Sequence, residues 1–207
     1  MLVVGLTGGI ASGKTVVSQV LGEEGAHIID ADQIAREMVQ PHTPAWEEMR
    51  RVFGEEIFGR DGFIDRKKLA NQVFTDPERR NRLNRILHPR IKEEMDRRIS
   101  QIGQTEPDAI VVVDAPLLIE TGAYRQMDAV IVVAANEKQQ IERLKERSGA
   151  SEEEARRIIA SQSSLREKLK VADIVIKNEG SIKETKKKTR EVYRELKRIA
   201  LQKKEGS

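Results

Sequence analysis

One octapeptide near the start of the chain restricts its fold more than anything else in it. Gly8-Gly9-Ile10-Ala11-Ser12-Gly13-Lys14-Thr15 fits G-x-x-x-x-G-K-[ST] at every fixed position. An apolar run, Leu2 to Leu6, precedes it, and the amphipathic Val16-Val17-x-x-Val20-Leu21 follows. Glycines let the backbone turn sharply and present successive N–H groups to phosphate oxygens. A helix opening near Gly13 aims its positive end at the same anion. Lys14 adds a point charge for the β and γ phosphates, and the Thr15 hydroxyl suits Mg²⁺. Strand, glycine loop and helix in that order predict a P-loop NTPase fold of the α/β class.

The rest of the chain agrees with that class. Runs rich in β-branched residues at 2–6, 26–30, 109–114, 128–134 and 172–176 alternate with longer helical segments, which predicts a five-stranded parallel sheet with helices on both faces. More than 70 residues separate Asp32 from Ala109 without a convincing strand. We therefore expect a nucleotide-binding core at 1–30, 109–136 and 169–207, a helical substrate-binding insertion at 31–108, and a lid at 137–168. Ser151-x-x-Glu154 and Ser181-x-x-Glu184 read as capping boxes, Asp76-Pro77 and Asn136 as helix starts. Helices are expected near 137–147 and 182–202, with Lys203 to Ser207 frayed. His88-Pro89 should kink or restart the helical stretch that begins at Pro77.

Composition removes several functions. Hydrophobic residues make up 38% and charged residues 34% of the 207, but the apolar ones are concentrated in dense runs that build a core. There is no cysteine, which excludes disulfides, thiolate catalysis and Cys-ligated zinc. The net charge is +3 with both signs interspersed, so no nucleic-acid partner is expected. No run reaches the length of a membrane span and no basic leader opens the chain, so no membrane partner and a cytoplasmic location are expected.

Two acidic strand ends carry the candidate chemistry. Ile110-Val111-Val112-Val113-Asp114 has the form of a Walker B strand whose carboxylate holds Mg²⁺ through water, or else caps the next turn. Asp30-Ala31-Asp32 closes the second strand, where ligands of open α/β sheets collect. Asp32 is read as the base that deprotonates an alcohol acceptor, with a helix cap before Gln33–Val39 as its other reading. Arg143 and Arg147 lie one helical turn apart in the expected lid, where an arginine closes over a triphosphate. Leu117 and Glu120 belong to a segment, opened by Pro116, that is expected to line a cleft. His88 punctuates a helix and is a second candidate for substrate contact.

Taken together, Gly5-Leu6-Thr7-Gly8-Gly9-Ile10-Ala11-Ser12-Gly13-Lys14-Thr15 with Ile29-Asp30-Ala31-Asp32, Leu87-His88-Pro89, Ala115-Pro116-Leu117-Leu118-Ile119-Glu120 and Ala172-Asp173-Ile174-Val175-Ile176-Lys177-Asn178 resemble the dephospho-CoA kinase family. The resemblance runs from Gly5 to about Gly180. It implies transfer of the ATP γ-phosphoryl to the ribose 3′-hydroxyl of dephospho-CoA, with Mg²⁺. It assigns Asp32 as base, Ala11, Ser12, Gly13, Lys14, Thr15 and Val16 to ATP, Arg143 to the lid side and Asn178 to the loop near adenine. Ala11 stands where glycine is common in the family, and Lys177 where aspartate is. Another P-loop small-molecule kinase, such as one for nucleoside monophosphates, is the nearer alternative. A GTPase switch is the remoter one, because no Asn-Lys-x-Asp occurs. Oligomeric state is open, between a monomer and a weak oligomer.

Overall fold

The computed structural model describes residues 1–205. Five strands, β1 (Leu2–Gly8), β2 (His27–Asp30), β3 (Ile110–Asp114), β4 (Ala129–Ala134) and β5 (Ile174–Lys177), form one parallel sheet in the order β2-β3-β1-β4-β5. Every residue of β3 and β4 is buried, as expected of strands covered on both faces. β1 runs two residues past the expected Leu6, because its pairing with β4 continues to Gly8 opposite Val133. β5 starts two residues later than expected. Before it, Asp173 is tied to Val130 through both its own N–H and its carboxylate, ahead of regular pairing.

Helices α1 (Lys14–Glu23) and α9 (Ile182–Glu205) cover one face. Leu2, Val4 and Leu6 point there and meet Val17, Leu21 and Leu196. Each such side chain stabilises the fold by about 1.5–3 kcal/mol against full exposure. On the other face β1 presents Gly5. A Cβ at that position would come within 2.5 Å of Leu118, so glycine is what lets the 115–122 segment lie on the sheet.

By compactness the chain separates into two units, Met1–Asp30 with Ile99–Ser207, and Ala31–Arg98. In the first, α6 (Glu137–Ser148), α7 (Glu152–Ala160) and α8 (Leu165–Leu169) follow β4. Asn136 caps α6 through Gln139, and Ser151 and Glu154 form a full capping box on α7. The Ser181–Glu184 pair at the start of α9 is reciprocal as well. α9 stays helical to Glu205, so Lys203 and Lys204 are not frayed; they pair with Asp128 and Asp108. Residues 206 and 207 lie outside the described residues.

The second unit holds α2 (Ala31–Met38), α3 (Pro44–Phe53), α4 (Arg66–Thr75) and most of α5 (Pro77–Thr105). Trp46, Met49, Phe53, Ile57 and Ile86 make its core. Trp46 meets Phe58 edge-on at 5.2 Å and donates its indole N–H to Gly62 O. Two alternatives left open by the sequence narrow here. Pro89 does not restart the helix; α5 runs through it for 29 residues. The guanidinium of Arg90 donates to Ile86 O at 2.6 Å, feeding a carbonyl in the turn that proline weakens. Asp32 is not an N-cap, because β2 passes into α2 without a loop and Asp32 lies inside its first turn.

Candidate active site

The loop after β1 turns on two left-handed residues. Gly13 has φ +88°, and Ala11 has φ +54°, a conformation that costs a non-glycine residue about 1–2 kcal/mol. α1 begins at Lys14, and Val16 N–H turns back to Gly13 O. Among the described residues the amides of Ala11, Gly13, Lys14 and Thr15 donate to nothing in the protein. Four donors gathered at a helix N-terminus make an anion site. Ser12 Oγ is buried beside them and also lacks a partner.

Lys14 is ion-paired with Asp114 at the end of β3. The side chains of both are largely buried. Asp30, at the end of β2, stands in register beside Asp114. The sheet therefore places one lysine and two carboxylates at its carboxyl edge. Thr15 is exposed in the first turn of α1. A hydroxyl and a carboxylate are hard oxygen donors that suit Mg²⁺, an ion that keeps most of its shell as water and phosphate oxygens. No cluster of three or more acidic, histidine or cysteine ligands occurs among the described residues.

Three carbonyls on the outer side of the loop are each held by a side chain. Gln140 Nε2 donates to Ile10 O at 2.7 Å, Arg143 Nη1 to Ala11 O at 3.1 Å, and Asn178 Nδ2 to Ser12 O at 2.8 Å. Arg143 also donates to Asn178 O, and Thr185 donates to Asn178 Oδ1. A Cβ on Gly13 would lie 2.0 Å from Asn178 Nδ2, so this glycine is needed for its brace as much as for its φ. On the other side of the Ile10 residue, its N–H donates to Gln162 Oε1 at 2.9 Å. Arg143 and Asn178 are thus brought to the loop. Arg147 is exposed in the last turn of α6, and no hydrogen bond ties it there. Gln140 and Gln162 escaped sequence reasoning. Gln140 carried one usable sign, its position one turn before Arg143 on the same helix face.

The remaining candidates divide. Glu120 accepts from Lys168 Nζ at 2.8 Å and from Ser163 N–H at 2.9 Å. Burial pushes its carboxyl up, but the Lys168 ammonium and backbone donors outweigh this and hold it below the ordinary range. Lys168 itself is fully buried. Glu120 thereby anchors the start of α8 to the segment after β3, whereas neighbouring Leu117 stays exposed. In the helical unit, His88 is half-buried on α5, and desolvation pushes its imidazole pKa down, towards the neutral form. Asp32 lines a cavity of about 500 Å³ with Arg36, Arg66, Val39, Phe63 and Leu83.

A glycine loop that turns its amides inward, with a lysine set against a strand-end acid, belongs to proteins that bind nucleoside triphosphates, and fold and site together assign the chain to the P-loop kinases. The family model for dephospho-CoA kinase matches residues 2–184, and the chain belongs to that family. A Corynebacterium glutamicum dephospho-CoA kinase is 45% identical over 196 residues, covering 95% of this chain and all of that one. One from Bacillus cereus is 48% identical over 185 residues, covering 89% and 92%. Among solved structures, a Thermus thermophilus protein superposes with a TM-score of 0.80 at 32% identity, covering 94% and 97%. Dephospho-CoA kinase from Campylobacter jejuni superposes with a TM-score of 0.65 at 26% identity, covering 94% and 96%. No helix among the described residues is long and apolar enough to cross a membrane.

Proposed function

We propose that this chain transfers the γ-phosphoryl group of ATP to the ribose 3′-hydroxyl of dephospho-CoA, giving CoA and ADP, the closing step of CoA biosynthesis. The family match across residues 2–184 is the observation that carries this reading. The amides of Ala11, Gly13, Lys14 and Thr15 bind the phosphates, and Lys14 leaves Asp114 to meet the β and γ oxygens. Thr15 and Asp114 would hold the Mg²⁺ that neutralises phosphate charge. Asp32 accepts the proton of the 3′-hydroxyl as its oxygen bonds to phosphorus and the bond to the ADP oxygen breaks. The rate comes from positioning and charge stabilisation, since this transfer asks little covalent chemistry of a protein.

Dephospho-CoA carries a diphosphate and a long, partly apolar pantetheine arm. The helical unit's cavity, with Arg36 and Arg66 among apolar walls, has matching chemistry. Residues 31–108 are accordingly assigned to the acceptor and 137–168 to a lid. The test is coupled ADP release by the purified protein. Dephospho-CoA should stimulate it strongly and adenosine monophosphate should not; the reverse order would replace this reading with a nucleoside monophosphate kinase.

A further inference from the structure

Ile10 is the most restrained residue of the phosphate loop. Its side chain packs with that of Ala11 on a small cluster of Ile141 and Leu144 from α6 and Ala155 from α7. Its carbonyl accepts from Gln140 on α6, and its amide donates to Gln162, just beyond α7. Gln162 is itself fixed by its neighbour, since Ser163 N–H is bound to Glu120. The α6–α7 hairpin therefore grips this one residue by its side chain and both of its backbone groups.

The geometry of a trans peptide gives that grip a consequence. The carbonyl of one residue and the N–H of the next point in opposite directions across their shared plane. With Ile10 O turned outward to Gln140, the Ala11 N–H is turned inward. We infer that Gln140 and Gln162 are positioning residues, which together lock the Ile10 peptides so that the Ala11 amide faces the nucleotide's phosphates. The hairpin, by this reading, sets the loop's shape and does more than cover it. The inference rests on the loop's being a phosphate site, and not on which acceptor the enzyme uses.

The two glutamines act through opposite ends of the amide, and that makes the inference testable. Gln162 must accept, because its partner is an N–H; Gln140 must donate, because its partner is a carbonyl. At pH 8 a glutamate can only accept, so Gln→Glu preserves the first bond and destroys the second, while adding the same charge to both sites. ADP affinity would be measured by calorimetric titration, and Ile10 amide exchange by NMR on the ligand-free protein. Gln162→Leu should weaken ADP about tenfold and speed Ile10 exchange. Gln162→Glu should restore affinity to within about threefold of wild type and slow exchange again. Gln140→Met and Gln140→Glu should both weaken ADP about tenfold or more, with melting temperatures close to wild type.

Equal losses for Gln162→Glu and Gln162→Leu would overturn the inference, as would wild-type ADP affinity in all four variants. A protein that ignored dephospho-CoA but followed this ADP pattern would refute the proposed acceptor and support the inference.

Discussion

The two units of this chain solve different problems with different materials. The sheet unit spends its apolar residues in unbroken runs, Val111 to Val113 and Val130 to Val133 among them, all fully or nearly fully buried. Its working charges stand at strand ends, where the backbone alone decides their places. The helical unit, 31–98, instead gathers its apolar side chains from several helices around Trp46, Met49 and Phe53 and pairs charges along and between those helices. Glu94 is bonded to Arg97 and Arg98, Glu37 to Arg98, and Glu48 to Arg90. Where the loop must hold its amides and its lysine, the end of β1 places them and side chains from Gln140, Arg143, Gln162 and Asn178 brace the main chain. In the helical unit, which is proposed to admit the acceptor, side chains around a cavity do the shaping.

Substitutions can break or sharpen that contrast. The largest effect should come from the sheet unit. Lys14→Ala is expected to lower kcat/KM for ATP on the order of 10³-fold in the coupled assay, because a charge aimed at the transferring group is lost. Unchanged kcat/KM would remove Lys14 from the chemistry. In the helical unit, Asp32→Asn should lower kcat by about 10²- to 10³-fold while calorimetric ADP affinity stays as it was. That split between turnover and nucleotide binding would separate the tasks of the two units; a parallel loss in both would merge them.

Stability tests come next in size. Trp46→Ala deletes the centre of the helical core and strands Gly62 O, a loss of about 3–5 kcal/mol. Denaturation followed at probes in each unit would show whether the sheet unit survives that loss. Ala11→Gly should do the opposite. Relief of the left-handed strain outweighs the added freedom of the unfolded chain, for a gain of about 1 kcal/mol or less in unfolding free energy, read as a raised denaturation midpoint.

The smallest effect is acidic. Hydrogen bonds from Arg97 and then Arg98 hold the Glu94 carboxyl down at about 2. A depressed carboxylate stabilises the fold fully above its ordinary range and loses that contribution as pH falls towards 2. Glu94→Gln should therefore flatten the pH dependence of the urea midpoint between about pH 5 and about pH 2.5, lowering the midpoint most at the upper end of that range and little at the lower.

How much of this the sequence disclosed depends on what each feature needs. Strands buried on both faces must be continuous in β-branched residues, so β3 and β4 were plain. The caps at Asn136, Ser151 and Ser181 were plain because a cap is a local bargain between residues three apart. Pro89 was ambiguous, because proline removes one N–H from the helix and whether the helix ends there or runs on is decided by what packs around it, which spacing does not record. Gln162 was invisible, and Gln140 nearly so, for a related reason. Glutamine has no charge and no required spacing, and its value here lies in reaching a loop 130 and 152 residues away. Glu120 was read as lining a cleft, and its bond to Lys168 was not foreseen, because that partner sits 48 residues on, buried within a helix that otherwise carries exposed charge.

The pairing of Lys14 with Asp114 has an effect before any nucleotide arrives. A cation held against an internal carboxylate is already neutralised, so each incoming anion has to outcompete a tethered rival. Chloride, carboxylates and single phosphates bring too few oxygens to do so, whereas a polyphosphate seated on several amides at once can. On the proposed function, such a pairing would favour visitors of high valency over single anions.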